Sequence, residues 1–301
     1  MASAKPGYRE RWYGAQDGLR LFFRDYGDPQ ASGTPLLCLG GLTRNSRDFD
    51  KLARRLSARR RVVCPDYRGR GRSSYDDDWR NYRPEVYVSD LIHLLAVCNL
   101  HRVVVCGTSM GGLLSMGLAV AVPTILTGVI LNDIGPDLHH RGLSRILEYI
   151  GVDRPQPDWE AAVAHLKSLF PRLGLDSDAA WRDFAEATYR LAEDGLLHYD
   201  WDLALAKPLI RSGGPTADLW KLYGALRRQP VLAFRGELSD VFSEDTFLRM
   251  AEIKPDLIRV TVPGVGHPPM LDEPPAVTAV DDFLAEIDAR QGGTTPEPPH
   301  G

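Results

Sequence analysis

Several things are scarce in this chain, and each scarcity narrows what it can be. Its 301 residues include only four cysteines. Cys38, Cys64 and Cys106 lie in apolar, strand-like runs and Cys98 in the helix-like stretch 91–100, none at metal-ligand spacing from another. A disulfide framework is thereby excluded, and buried, reduced thiols in a cytoplasmic protein are expected. No cysteine stands on a turn beside a basic residue, which argues against a thiol nucleophile. Long apolar runs are missing too, and nothing approaches the roughly 20 residues of a membrane span. Residues 1–15 carry three Lys or Arg and no apolar stretch, so no secretory leader is expected. An excess of either charge is nearly absent: 36 basic against 40 acidic residues leave a net charge of −4. That balance offers no general attraction for polyanions, and nucleic acid is not an expected partner.

What is present is the composition of a large globular domain, 44% apolar and 25% charged. Glu10–Tyr13 and Leu19–Arg24, joined through Asp17-Gly18, predict a β-hairpin. Apolar runs at 36–39, 61–64, 102–106 and 127–131 then alternate with helical patterns at 45–58, 85–100 and 110–122. Such alternation builds βαβ units, and predicts an α/β protein with a doubly wound, mostly parallel sheet. It stops at Asp137. Strand runs return only at 230–235 and 257–262, with helices at 244–253 and 275–289. Between them lie helical patterns over Leu143–Ile150, Trp159–Leu169, Ala179–Ala192 and Thr216–Leu226, and no strand run. The expected organisation is a core of residues 1–136 and 230–290, a helical lid at 137–229, and a disordered Gly-, Pro- and Thr-rich tail at 291–301.

Chemistry concentrates at Gly107-Thr108-Ser109-Met110-Gly111-Gly112, between the β-branched run 102–106 and the small, apolar helix that follows. A serine on a strand-to-helix turn has its hydroxyl lifted clear of the backbone, and small neighbours leave room for the turn. Ser109 is therefore the candidate nucleophile. Its proton needs a base held by a carboxylate. His267, between glycines and prolines after the last strand run, is the candidate base. Asp240, after the preceding strand run, is the first candidate for the carboxylate; Asp133, after the run 127–131, competes for the same histidine. A tetrahedral oxyanion needs donors, for which the Met110 and Leu42 N–H groups are the candidates, Leu42 following Gly40-Gly41. Asp66-Tyr67-Arg68-Gly69-Arg70-Gly71-Arg72-Ser73 lacks a Walker sequence or a complete Gly-x-Gly-x-x-Gly, so it reads as a glycine-shaped turn with arginines solvated or paired to acids. Asp76-Asp77-Asp78 reads as a solvated loop.

In their order, Gly107–Gly112, Asp66–Ser73, Arg235–Asp240 and Gly266-His267 resemble the α/β-hydrolase superfamily, in its lidded serine esterase and lactonase-like branch. The resemblance implies a Ser109–His267–Asp240 triad, no metal or organic cofactor, and hydrolysis of carboxylic esters. One departure stands out: the family usually has His-Gly where this chain has Gly40-Gly41, which removes the side chain that braces the oxyanion loop. The expected activity is cleavage of a small or medium carboxylic ester or lactone through an acyl-enzyme, with that small molecule as the partner. The alternatives are a C–C bond hydrolase of ring-cleavage products, a cofactor-free perhydrolase, and a catalytically silent binding protein on the same scaffold. Lid aromatics at 198–202 and 220–223 read as packing rather than as ligand contacts.

Overall fold

A computed structural model describes residues 7–137, 140–212 and 218–292. The eight-stranded sheet is built from β1 (Tyr8–Gly14), β2 (Arg20–Tyr26), β3 (Gly33–Leu39), β4 (Arg60–Pro65), β5 (Val103–Thr108), β6 (Leu126–Asn132), and two later strands, β9 (Val231–Gly236) and β10 (Ile258–Val262). Their spatial order is β1-β2-β4-β3-β5-β6-β9-β10. Only β2 runs against the others. The doubly wound, mostly parallel sheet expected from the sequence is therefore present.

Alternate side chains of each central strand enter different cores, because successive Cβ atoms point to opposite faces. Leu37, Leu39, Val105 and Leu131 pack beneath α2 (Pro84–Val97) and α3 (Met110–Ala121). Leu36, Cys38, Val104, Cys106 and Ile130 pack against α1 (Asp50–Leu56) and α10 (Pro274–Gly292). With both faces covered, these strands read as continuous apolar runs rather than alternating ones. All four cysteines are free and buried, and burial pushes the Cys106 thiol up to about 12. Among the described residues no helix is long and apolar enough to cross a membrane.

Between β6 and β9 the chain forms α4 (His140–Ile150), α5 (Trp159–Leu169), α6 (Asp178–Thr188), α7 (Ala206–Ser212) and α8 (Leu219–Gly224). The expectation of helices alone is corrected here. A two-stranded antiparallel sheet, β7 (Tyr189–Leu191) with β8 (Leu197–Tyr199), interrupts them. Three residues per strand are too few to show a period of two, and Tyr189–Leu191 continues the helical pattern of α6 in sequence. The tertiary setting decides: Tyr189, Tyr199 and Trp201 stack with centroids 4.9 and 4.1 Å apart. The last helices are α9 (Glu244–Ile253) and α10, which continues to Gly292 rather than ending at 289, into the first residues of the expected tail. Residues 293–301, the rest of the expected tail, lie outside the described residues.

Where β5 turns into α3, the helix lies almost in contact with the sheet backbone. A Cβ on Gly111 would meet the Leu39 carbonyl oxygen at 2.1 Å, and one on Gly107 the Gly111 carbonyl oxygen at 2.3 Å. Backbone cannot yield as a side-chain tip can, so both positions require glycine. Gly111→Ala is expected to destabilise the fold by about 1–3 kcal/mol or more, read as a lower urea midpoint at an unchanged m-value.

Candidate active site

The β5–α3 turn holds Ser109 at φ 53° and ψ −119°, a conformation costly for a residue with a Cβ, by roughly 1–3 kcal/mol. Surrounding bonds impose it. Ser109 N–H donates to the Asn132 carbonyl at the end of β6, 3.0 Å away, and the Ser109 carbonyl accepts from Gly112 N–H at 2.9 Å. The hydroxyl lies 3.0 Å from His267 Nε2. His267 stands on the loop that leaves β10, held where Gly266 N–H donates to the Arg172 carbonyl at 2.5 Å.

The carboxylate beside His267 is Asp133, not Asp240. His267 Nδ1 lies 2.7 Å from Asp133 Oδ2. A carboxylate only accepts, so this contact places the proton on Nδ1 and turns the Nε2 lone pair toward the serine hydroxyl. Asp133 is fully buried, and its oxygens also accept from Gly236 N–H at 2.8 Å and the Ser239 hydroxyl at 2.7 Å. Asp240 instead takes a bidentate pair from Arg145 Nε and Nη2, both 2.9 Å away, and has no hydrogen bond to His267 among the described residues. Burial alone would raise the Asp240 carboxyl; hydrogen bonds and charge from Arg145 outweigh it and hold the group below the usual carboxylate range. The cause lies in chain direction past the strand ends. Asp133 is the first residue after β6 and turns back over the sheet edge, whereas Asp240 comes four residues after β9, far enough for its loop to meet α4.

The loop after β3 passes beside Ser109: a Cβ on Gly41 would lie 3.8 Å from the Ser109 Cβ. Without a histidine to brace it, the loop is held from the Asp66–Ser73 turn. Arg70 Nε donates to the Leu42 carbonyl at 2.8 Å, and the Tyr67 hydroxyl to the Gly40 carbonyl at 3.3 Å. Arg70 is completely buried, with Nη1 donating to the Arg68 carbonyl at 2.7 Å and the Tyr87 hydroxyl at 2.8 Å. Its cation also lies 4.7 Å from the Tyr87 ring centroid. Arg68, nearly as buried, binds Asp90 through two nitrogens and reaches Asp17 and Asp76. Of the expected alternatives for these arginines, Arg68 and Arg70 are packed and bonded rather than solvated. Asp76, expected in a solvated loop, is part of that packing.

Leu42 lines a cavity of about 80 Å³ with Gly41, Ser109 and His267. Met110 opens α3, where a helix leaves its first N–H groups without an intrahelical partner. The far wall comes from the segment between β6 and β9, through Tyr149, Phe170 and Phe184. None of these three stands out in the sequence. Their signal was faint, one aromatic each in or beside α4, α5 and α6. The aromatics at 198–202 pack internally: the Trp201 indole donates to the Ile150 carbonyl at 3.0 Å. A polarised serine at the wall of a small, mostly apolar chamber is an arrangement able to attack a carbonyl carbon.

Comparisons with known proteins identify the family. The model of the alpha/beta hydrolase family matches residues 36–280. The chain is 36% identical over 274 residues to a 3-hydroxybutyrate-oligomer hydrolase of Cupriavidus necator, covering 88% of this chain and 92% of that protein. It is 28% identical over 239 residues to a 2-(acetamidomethylene)succinate hydrolase of Mesorhizobium japonicum, covering 79% and 83%. The crystal structure of an alpha/beta hydrolase from Novosphingobium aromaticivorans superposes with a TM-score of 0.88 at 40% identity, over 94% of this chain and 99% of that one. With its parallel sheet, its serine turn and a family match spanning most of its length, the chain belongs to the α/β-hydrolase family.

Proposed function

We propose that the protein is a serine hydrolase that cleaves a small or medium carboxylic ester or lactone through an acyl-enzyme. The observation carrying this reading is the run of hydrogen bonds from Ser109 through His267 to Asp133, 3.0 and 2.7 Å long, at the wall of the cavity. Ser109 Oγ attacks the carbonyl carbon while His267 Nε2 takes its proton. Asp133 stabilises the resulting imidazolium, and the Leu42 and Met110 N–H groups receive the oxyanion. His267 returns the proton to the leaving alcohol, then draws one from water as the acyl group is released. The segment 137–229 serves as a lid that keeps the chamber apolar through Tyr149, Phe170 and Phe184. The full-length similarity to a 3-hydroxybutyrate-oligomer hydrolase supports short hydroxy-acid esters as the substrate type. Four free, buried thiols fit a cytoplasmic setting.

Ser109→Ala is expected to lower kcat for p-nitrophenyl butyrate by at least about 10⁴-fold at an unchanged Tm. Retained turnover in that variant would sink the mechanism. The two carboxylates separate cleanly by the same assay. Asp133→Asn should cost on the order of 10⁴ in kcat, because the histidine then loses its tautomer control. Asp240→Asn should cost far less, and a larger loss there than in Asp133→Asn would restore Asp240 as the acid. The brace on the oxyanion loop is tested by Arg70→Met, expected to reduce kcat about 10- to 100-fold by misplacing a donor. KM should move much less; an effect on KM alone would assign Arg70 to substrate binding instead.

A further inference from the structure

Arg145 stands where two cavities meet. One is the chamber around Ser109; the other, about 260 Å³, shares His267, Arg145, Phe170 and Leu173 with it but not the nucleophile, and adds Arg172, Leu238 and Asp240. In ester cleavage by Ser109 and His267, a group reached from the histidine side is the leaving alcohol, since the histidine hands it the proton. This second groove therefore receives the alcohol half of the substrate, an inference that rests on the function proposed above.

The residues lining the groove include two arginines and one aspartate, one basic residue in excess among the described residues. Arg145 uses Nε and Nη2 on Asp240, while its Nη1 has no hydrogen bond among the described residues. Its cation lies 5.6 Å from the Phe170 ring centroid, which holds the fork in place. Arg172 is exposed, and its guanidinium has neither a hydrogen bond nor an ion pair among the described residues. Its backbone is tied to the histidine loop, the Arg172 carbonyl accepting from Gly266 N–H. The fork of Arg145 already carries a carboxylate in bidentate geometry, the arrangement in which guanidinium groups recognise such anions.

We propose that this groove is a carboxylate subsite on the alcohol side of the scissile bond. Arg145 Nη1 and Arg172 bind a free carboxylate borne by the leaving alcohol, so the preferred substrates are esters of hydroxy acids. Asp240 orients Arg145 and offsets part of its charge, which lets the released hydroxy acid leave.

The test compares 3-acetoxybutanoate with its neutral counterpart, 3-acetoxybutanamide, using p-nitrophenyl acetate as a reference ester. The wild type is expected to favour the carboxylate over the amide in kcat/KM by roughly 10-fold or more, mainly through KM. Arg172→Ala, at an exposed position, should reduce that ratio several-fold, by roughly 3- to 10-fold. Arg145→Ala combined with Asp240→Asn, which leaves no unpaired carboxylate behind, should reduce it by roughly 10- to 100-fold. A ratio near one in the wild type, or a ratio unmoved in both variants while p-nitrophenyl acetate is still cleaved, overturns the subsite and leaves the hydrolase assignment standing. If the wild type cleaves none of the three esters, the hydrolase assignment fails and the subsite with it.

Discussion

The Asp133 carboxylate is the point on which the sheet edge bearing the candidate site is assembled. A buried charge is tolerable only where its lone pairs are satisfied. Asp133 meets that condition with partners from two other strand ends: Gly236 N–H at the end of β9, the Ser239 hydroxyl just beyond it, and His267 on the loop after β10. Because Asp133 itself follows β6, one carboxylate joins three strand ends. Ser109 N–H adds the fourth, donating to the Asn132 carbonyl directly before Asp133. The histidine is thus placed relative to the serine by the Asp133 side chain together with the backbone tie from Ser109 to Asn132, which leaves its Nε2 3.0 Å from the hydroxyl.

A second buried charged side chain orders the opposite side of Ser109. Arg70 has no carboxylate partner among the described residues, and its Nη2 is left without a hydrogen bond there. In the interior it meets a set of carbonyl and hydroxyl acceptors together with tyrosine ring faces. The geometry explains how the chain does without the usual histidine after β3. A guanidinium reaching in from the neighbouring turn holds the Leu42 carbonyl, and the loop beside Ser109 is anchored from outside itself. Arg68, one pair of residues earlier, meets its need differently, through the carboxylates of Asp90, Asp17 and Asp76. Two arginines in one short turn therefore serve separate ends: one ties the turn to the strand and helix layer, the other ties the loop beside Ser109 to the turn.

The architecture was largely legible in the sequence because its elements announce themselves locally. The valine run before Ser109 can only be a strand buried on both faces, and the glycines around it can only accompany a close helix-to-sheet contact. Less legible were elements whose conformation is decided by distant neighbours. β7 and β8 exist because Tyr189 and Tyr199 stack face to face across them, which no three-residue window displays. Arg68 and Arg70 read in sequence as solvated or paired to acids without a choice between the two, since burial of an arginine depends on acceptors brought from residues 42, 87 and 90.

By itself the sequence determined the fold class, the serine turn and the presence of a histidine at the last strand end, because each follows from short-range sterics and from a periodicity of apolar residues. Which carboxylate meets that histidine was decided only in three dimensions. Asp133 and Asp240 both follow strands near β10, and spacing along the chain does not say which way a loop turns after its strand. The left-handed backbone of Asp133, at φ 54°, folds its carboxylate back over the sheet edge, while the longer path to Asp240 delivers it to Arg145. The physical reason is that a loop's direction is set by the hydrogen bonds it finds at its far end, and those partners belong to other strands.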